Sequence, residues 1–149
     1  METNFLSYAE TAIDYGVMGL LVLMSVVTLW LFIERMMFYA NIRTSDYGHR
    51  DTLEMDLTAN ISVISTIGSN APYVGLLGTV LGIMLTFYTM GDAGAVDAKK
   101  IMIGLALALK ATAMGLVVAM PAIVAYSILL RKVEKILTIF DVAQDKKSN

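Results

Sequence analysis

Very few side chains in this sequence could do chemistry inside the long uncharged stretches that dominate it. Thr79 lies in "GLLGTVLG" (Gly75 to Gly82), Thr112 and Lys110 lie in "GLALALKATAMG" (Gly104 to Gly115), and Thr86 falls between them. A threonine hydroxyl is both donor and acceptor, so it can pass a proton along without holding a charge. It can equally bond the carbonyl three or four residues back in its own helix. Thr79 and Thr112 differ from an ordinary membrane threonine because each flanks a row of small residues. From there the hydroxyl can reach a neighbouring helix or a file of water.

Other chemistries lack their parts. The single histidine, His49, has no nucleophile beside it, and Asp51, Glu54 and Asp56 read as a solvated helix face. There is no cysteine, no pair of carboxylates within the apolar stretches and no His-Glu-x-x-His pair. The expectation is therefore no enzyme, no metal and no cofactor. "GLLGTVLG" is not a phosphate loop, because Ile83 stands where a lysine would have to follow. A net charge of −2 and the lack of any basic run set nucleic acid aside.

The elements that must position these residues follow from charge spacing. The chain has 149 residues and is 57% hydrophobic, well above a soluble domain's roughly 45–50%. Nineteen residues, Tyr15 to Ile33, carry no charge; thirty-five, Leu57 to Gly91, carry none; thirty, Ile101 to Leu130, carry only Lys110. A spanning helix needs about 20 apolar residues, so each window crosses a bilayer once. The reading is an all-α membrane protein of one domain, with spans near 15–36, 71–90 and 100–125. The second and third windows would make helices of roughly 52 and 45 Å against a hydrocarbon core of about 30 Å, so both should continue beyond the membrane. Residues 37–70 and 126–149 form the extramembrane parts. Tyr39 to Asp56 is expected to feed a polar or amphipathic helix into the second span. In the tail, Val133, Ile136, Leu137 and Phe140 recur at helical spacing and should pack on neighbours.

Lys and Arg counts give the orientation. The first loop and the tail hold eight, Arg35, Arg43, Arg50, Arg131, Lys132, Lys135, Lys146 and Lys147, against Lys99 and Lys100 in the second loop. The positive-inside rule makes the richer side cytoplasmic and leaves the N-terminus outside. The acidic start, with Glu2, Glu10 and Asp14, does not read as a removable signal peptide.

Glycine is the next signal. Gly75, Gly78 and Gly82 share one helix face, extended by Gly68 and Ala71; Gly104, Ala108, Ala111, Gly115, Ala119 and Ala122 share another. In lipid, helices associate by close packing rather than by hiding apolar surface, so two such stripes predict tight helix contacts, within one chain or between chains. Lys110, about 15 Å beyond Lys100, is costly at that depth. It should pair with a carboxylate from another subunit, be left neutral by desolvation, or snorkel to the interface; none of the chain's own acidic residues within the spans is in reach. Lying about 200° around the helix from Thr112, it is expected to face a subunit boundary while Thr112 faces an enclosed lumen. Pro121 removes a backbone hydrogen bond and is a candidate pivot.

"APYVGLLGTVLGIMLTF" (Ala71 to Phe87), followed by "GLALALKATAMGLVVAMPAIVAY" (Gly104 to Tyr126), resembles the ExbB/TolQ/MotA proton-channel family, and "ERMMFY" (Glu34 to Tyr39) closes the first span as in ExbB-like chains. The resemblance covers most of residues 15–132. The small first loop looks most like ExbB, with TolQ the near neighbour; the large cytoplasmic domain of MotA is missing. The resemblance implies a homo-oligomeric ring, typically five subunits, in the bacterial inner membrane. The ring would enclose an ExbD-like single-span partner whose membrane aspartate carries the proton, and would energise a TonB-like protein for outer-membrane import. It maps the family's threonines onto Thr79 and Thr112 and its prolines onto Pro72 and Pro121. A glutamate usual in the third span is replaced by Leu107, so a titrating carboxylate at that position is ruled out. The alternatives are a TolQ-like subunit of the Tol-Pal envelope system and a non-conducting membrane scaffold.

Overall fold

The computed structural model describes residues 2–91 and 98–148, with side chains described for residue 8, residues 11–89 and residues 98–146. The loop expected after the second span falls at 92–97, outside the described residues. Among the described residues the fold has four helices, α1 (Glu2–Asn41), α2 (Arg50–Thr58), α3 (Ile61–Gly91) and α4 (Ala98–Ser148), with a 3-10 turn at Thr44–Asp46 between the first two. Three of them are long and apolar enough to cross a membrane, so this is a multi-pass, all-helical membrane protein.

α1 begins at Glu2, well before the expected start of the first span near residue 15. Residues 2–14 contain neither proline nor glycine, and Leu6, Ala9, Glu10 and Ala12 are strong helix formers, so nothing stops the helix at the edge of the apolar window. α3 and α4 outrun their apolar windows as well, and both continue through an internal proline, Pro72 and Pro121 respectively.

At the end of the bundle where α1 finishes, the core is built from volume. Leu53 and Leu57, four residues apart on α2, are fully buried, as are Ile64 of α3 and Leu129 of α4. Val133, Leu137 and Phe140 of the tail join the same cluster. The i, i+4 spacing of Leu53 and Leu57 gives a nine-residue helix one apolar edge, and that edge is what fixes it to α4.

α1 fastens the far end of α2. Arg35 Nη1 donates to the Asp56 carbonyl at 3.1 Å and the Tyr39 hydroxyl to the Leu57 carbonyl at 2.6 Å. These carbonyls belong to the last turn of α2, which has no helical donors left for them. Arg35 is itself held by Glu34 and lies 4.8 Å from the centre of the Phe38 ring. Asn60 then turns the chain into α3 with φ of 62°, a left-handed conformation that asparagine tolerates better than most residues. The Tyr47 phenol, outside the spans, is pushed above its usual range chiefly by its hydrogen bond to Asp56.

Along the spans the polarity is inverted relative to a soluble protein. Leu23, Val26, Trp30, Val80, Val117 and Met120 all point outward and exposed. Apolar side chains turned outward along the spans form a surface suited to cover by lipid or by other apolar helices rather than by water.

Candidate functional site

α3 and α4 meet through their small residues. A methyl group added at Gly75 would lie 2.6 Å from the Ala111 carbonyl oxygen and 3.1 Å from the Cα atoms of Gly115 and Thr112. One added at Gly115 would lie 2.7 Å from the Ala71 carbonyl oxygen and 3.1 Å from Gly75 Cα. The two helices therefore touch backbone to backbone here, and no side chain fits between them. Gly82 faces the Ala108 methyl, Gly78 faces Ala111 and Val17 of α1, and Gly104 is filled by the Thr86 side chain. Gly68 meets Ala122 and Ile123 further along. Ala108, Ala111 and Ala119 are buried.

This proximity brings the two threonines together. Thr79 Oγ1 and Thr112 Oγ1 are 2.5 Å apart, 33 residues distant in sequence. Thr79 Oγ1 also lies 3.0 Å from the Ala108 carbonyl and 3.3 Å from the Gly75 carbonyl, which Thr112 Oγ1 approaches at 3.5 Å. Two hydroxyl protons thus share two carbonyls and each other's oxygens, so at least one acceptor position is always vacant. Such a pair can accept a proton from one side and release it to the other by rotating its hydroxyls, and neither group needs to ionise. Thr79 is only 8% exposed, whereas Thr112 is half-buried. Thr86, by contrast, donates to its own helix at the Gly82 carbonyl, 2.8 Å away.

Lys110 has a partner within the chain, just outside the expected first span, where the sequence pointed to a carboxylate from another subunit, a neutral lysine or snorkelling. Its Nζ lies 3.7 Å from Oδ2 of Asp14 on α1. The physical reason is the helical extension of α1: α1 and α4 run in the same direction, so the first carboxylate below the apolar window comes level with Lys110. The lysine therefore sits at the edge of the uncharged window of α1 and not at its middle. Both side chains keep nearly half their exposure, 48% and 44%.

Asp14 is the site residue that sequence reasoning missed. It also lines a groove of about 520 Å³ between the first half of α1, the second half of α3 and the start of α4. Leu107, where a glutamate is usual in the family that the sequence resembles, lines the same groove. Counting depth from the shared end of α1 and α4 would have found Asp14; counting charges within each apolar window could not.

A second groove of about 360 Å³ separates α1 from α4 around Pro121, between Leu29, Phe32, Val118 and Ile128. Pro121 is exposed on it and Pro72 is half-buried in α3. His49 is exposed at the start of α2, where its carbonyl accepts from Thr52 at 2.8 Å. Among the described residues no group of three His, Cys, Asp or Glu could hold a metal ion.

With this geometry in hand, the chain can be set beside known proteins. Residues 30–142 match the MotA/TolQ/ExbB proton channel family. The biopolymer transport protein ExbB of Aquifex aeolicus is 54% identical over 126 residues, 84% of this chain and 85% of that protein. ExbB of Helicobacter pylori is 54% identical over 120 residues, 80% of this chain and 83% of its own length. The Tol-Pal system protein TolQ of Pseudomonas aeruginosa is 43% identical over 74 residues, 50% of this chain and 32% of that protein.

Proposed function

The chain belongs to the MotA/TolQ/ExbB proton channel family, and on that premise we propose that it is the channel subunit of an ExbB-type motor in the bacterial inner membrane. Its N-terminus faces the periplasm and its C-terminus the cytoplasm, following the eight-to-two bias of basic residues. Copies of the chain, most simply five, form a ring around a single-span ExbD-like partner that brings a membrane aspartate. Proton passage past the ring energises a TonB-like protein and so drives import through the outer membrane.

One observation carries this reading: the hydroxyls of Thr79 and Thr112 join across a glycine-to-glycine helix contact. They are the uncharged relay that a carboxylate carrier needs beside it. Lys110 and Asp14, still half-exposed after pairing, leave a charged face open at the edge of the apolar window, and a neighbouring subunit covers it. Pro121, with no amide hydrogen to donate, is the pivot at which α4 bends between the two halves of the cycle. ExbB-like chains match over four-fifths or more of both sequences, and TolQ matches half of this one, which favours energised import over envelope maintenance.

The test is proton flux in vesicles holding the ring with a co-expressed ExbD-like partner. Thr79→Ala and Thr112→Ala should assemble normally and lose coupled transport. Wild-type flux in both variants would reject the relay and leave the scaffold reading. Rescue of a Tol-Pal defect, with none of import, would reassign the chain to the TolQ role.

A further inference from the structure

The 520 Å³ groove between α1, α3 and α4 is not explained by a relay at Thr79 and Thr112 alone. It runs from Lys100 and Thr89 down to Gly78 and Ala111, eleven residues along each of α3 and α4, or about 16 Å at the helical rise. Gly78, Gly82, Gly104 and Ala108 line it where the three helices come close, and Leu85, Ile103 and Leu107 complete its walls. Its floor is formed by residues adjoining the relay. Gly78 and Ala111 are the sequence neighbours of Thr79 and Thr112, and the Ala108 carbonyl accepts from Thr79.

The lining decides what fills it. Lys100 and Asp14 line this space, so a lipid chain lying there would strip water from two charges at a cost of several kcal/mol, whereas Thr86 and Thr89 already bond carbonyls of their own helix. Asp14 and Lys110 form an ion pair at 3.7 Å whose side chains keep nearly half their exposure, 44% and 48%, so both can still be hydrated. Most of its surface is apolar, from residues such as Leu85, Ile103 and Leu107, but with two charged side chains on its wall a space of this size holds on the order of ten waters or more.

We propose that this groove is a water-filled vestibule, present in every subunit, that carries protons from its Lys100 mouth past Asp14 to the Thr79–Thr112 pair. The access route to the relay then lies inside each protomer, between its own three spans. Asp14, held by Lys110, puts a carboxylate on that route close to its floor. The inference rests on the proton-channel reading, and its test separates the two.

The chain has no cysteine, so single cysteines can be read without background. Leu107→Cys and Leu85→Cys place a thiol in the groove, and Leu109→Cys places one on the exposed apolar surface nearby. In the ring with its co-expressed partner, a membrane-impermeant methanethiosulfonate applied from the side of the α1 N-terminus should modify the two groove positions about tenfold faster than Leu109→Cys, because only a hydrated thiolate reacts. Modified Leu107→Cys should then lose proton flux several-fold, its adduct blocking the route, while Leu109→Cys conducts as before. Groove cysteines reacting no faster than Leu109→Cys, or complete modification of both with flux unchanged, would overturn the vestibule. Flux lost in Thr112→Ala alongside either of those results would leave the channel reading standing without it.

Discussion

Towards the end where α1 finishes, α2, α3 and α4 are held by Leu53, Leu57, Ile64 and Leu129, all fully buried. Towards the other end, the same α3 and α4 meet through Gly75, Gly82, Ala108 and Gly115, with hydroxyls and a groove where a core would be. The first region is packed by volume and the second by closeness. Bulky apolar cores work where water is the alternative, since their stabilisation comes from removing surface from it. Inside a bilayer that drive is missing, and contact between bare backbones takes its place. The region that gives up bulk is also the one that keeps polar groups and open space. On the function proposed above, stability and proton handling are thus assigned to different halves of one bundle.

That division can be broken most directly at Gly75. Gly75→Leu would drive a side chain into the Ala111 carbonyl and Gly115, a collision with backbone that exceeds the ~1–3 kcal/mol of ordinary overpacking. The expected outcome is loss of the assembled ring on size-exclusion chromatography. Leu129→Ala, in the volume-packed half, should cost about 2–5 kcal/mol for the cavity it leaves. Its melting temperature should fall while flux per assembled ring is kept, and equal losses of both would merge the two halves into one. Tyr39→Phe deletes the hydroxyl that satisfies the Leu57 carbonyl and should lower stability by ~0.5–1.5 kcal/mol, again with flux intact. Lys110→Met should have the smallest effect on folding, within about 1 kcal/mol for a half-exposed pair. It should nevertheless weaken the ring in mild detergent, and unchanged assembly would remove Lys110 from a subunit boundary.

Much of this arrangement can be read from the sequence, because a membrane imposes simple rules. Three uncharged windows become three spanning helices, and the prolines at 72 and 121 interrupt none of them. The glycine and alanine stripes point at the α3–α4 contact because 3.6-residue periodicity puts them on single faces. Thr79 and Thr112 stand out for the same reason, flanking those stripes. The mutual bond between them is a different matter: 33 residues separate the two, and only the relative depth of two helices decides whether their oxygens meet. Asp14 and Lys110 fail for the same cause, since pairing across α1 and α4 depends on where each helix begins. The short α2 lies between these cases. A polar or amphipathic helix is expected within Tyr39 to Asp56, but nothing local says that Arg35 and Tyr39 of α1 will close its end.

One consequence follows from the length of α4. Its 51 residues run unbroken from the glycine-lined half into the leucine-filled half, about 76 Å end to end at the helical rise. One helix therefore ties the two halves together, and a bend at Pro121 would swing the tail against the glycine-lined end by an amount that grows with distance from the proline.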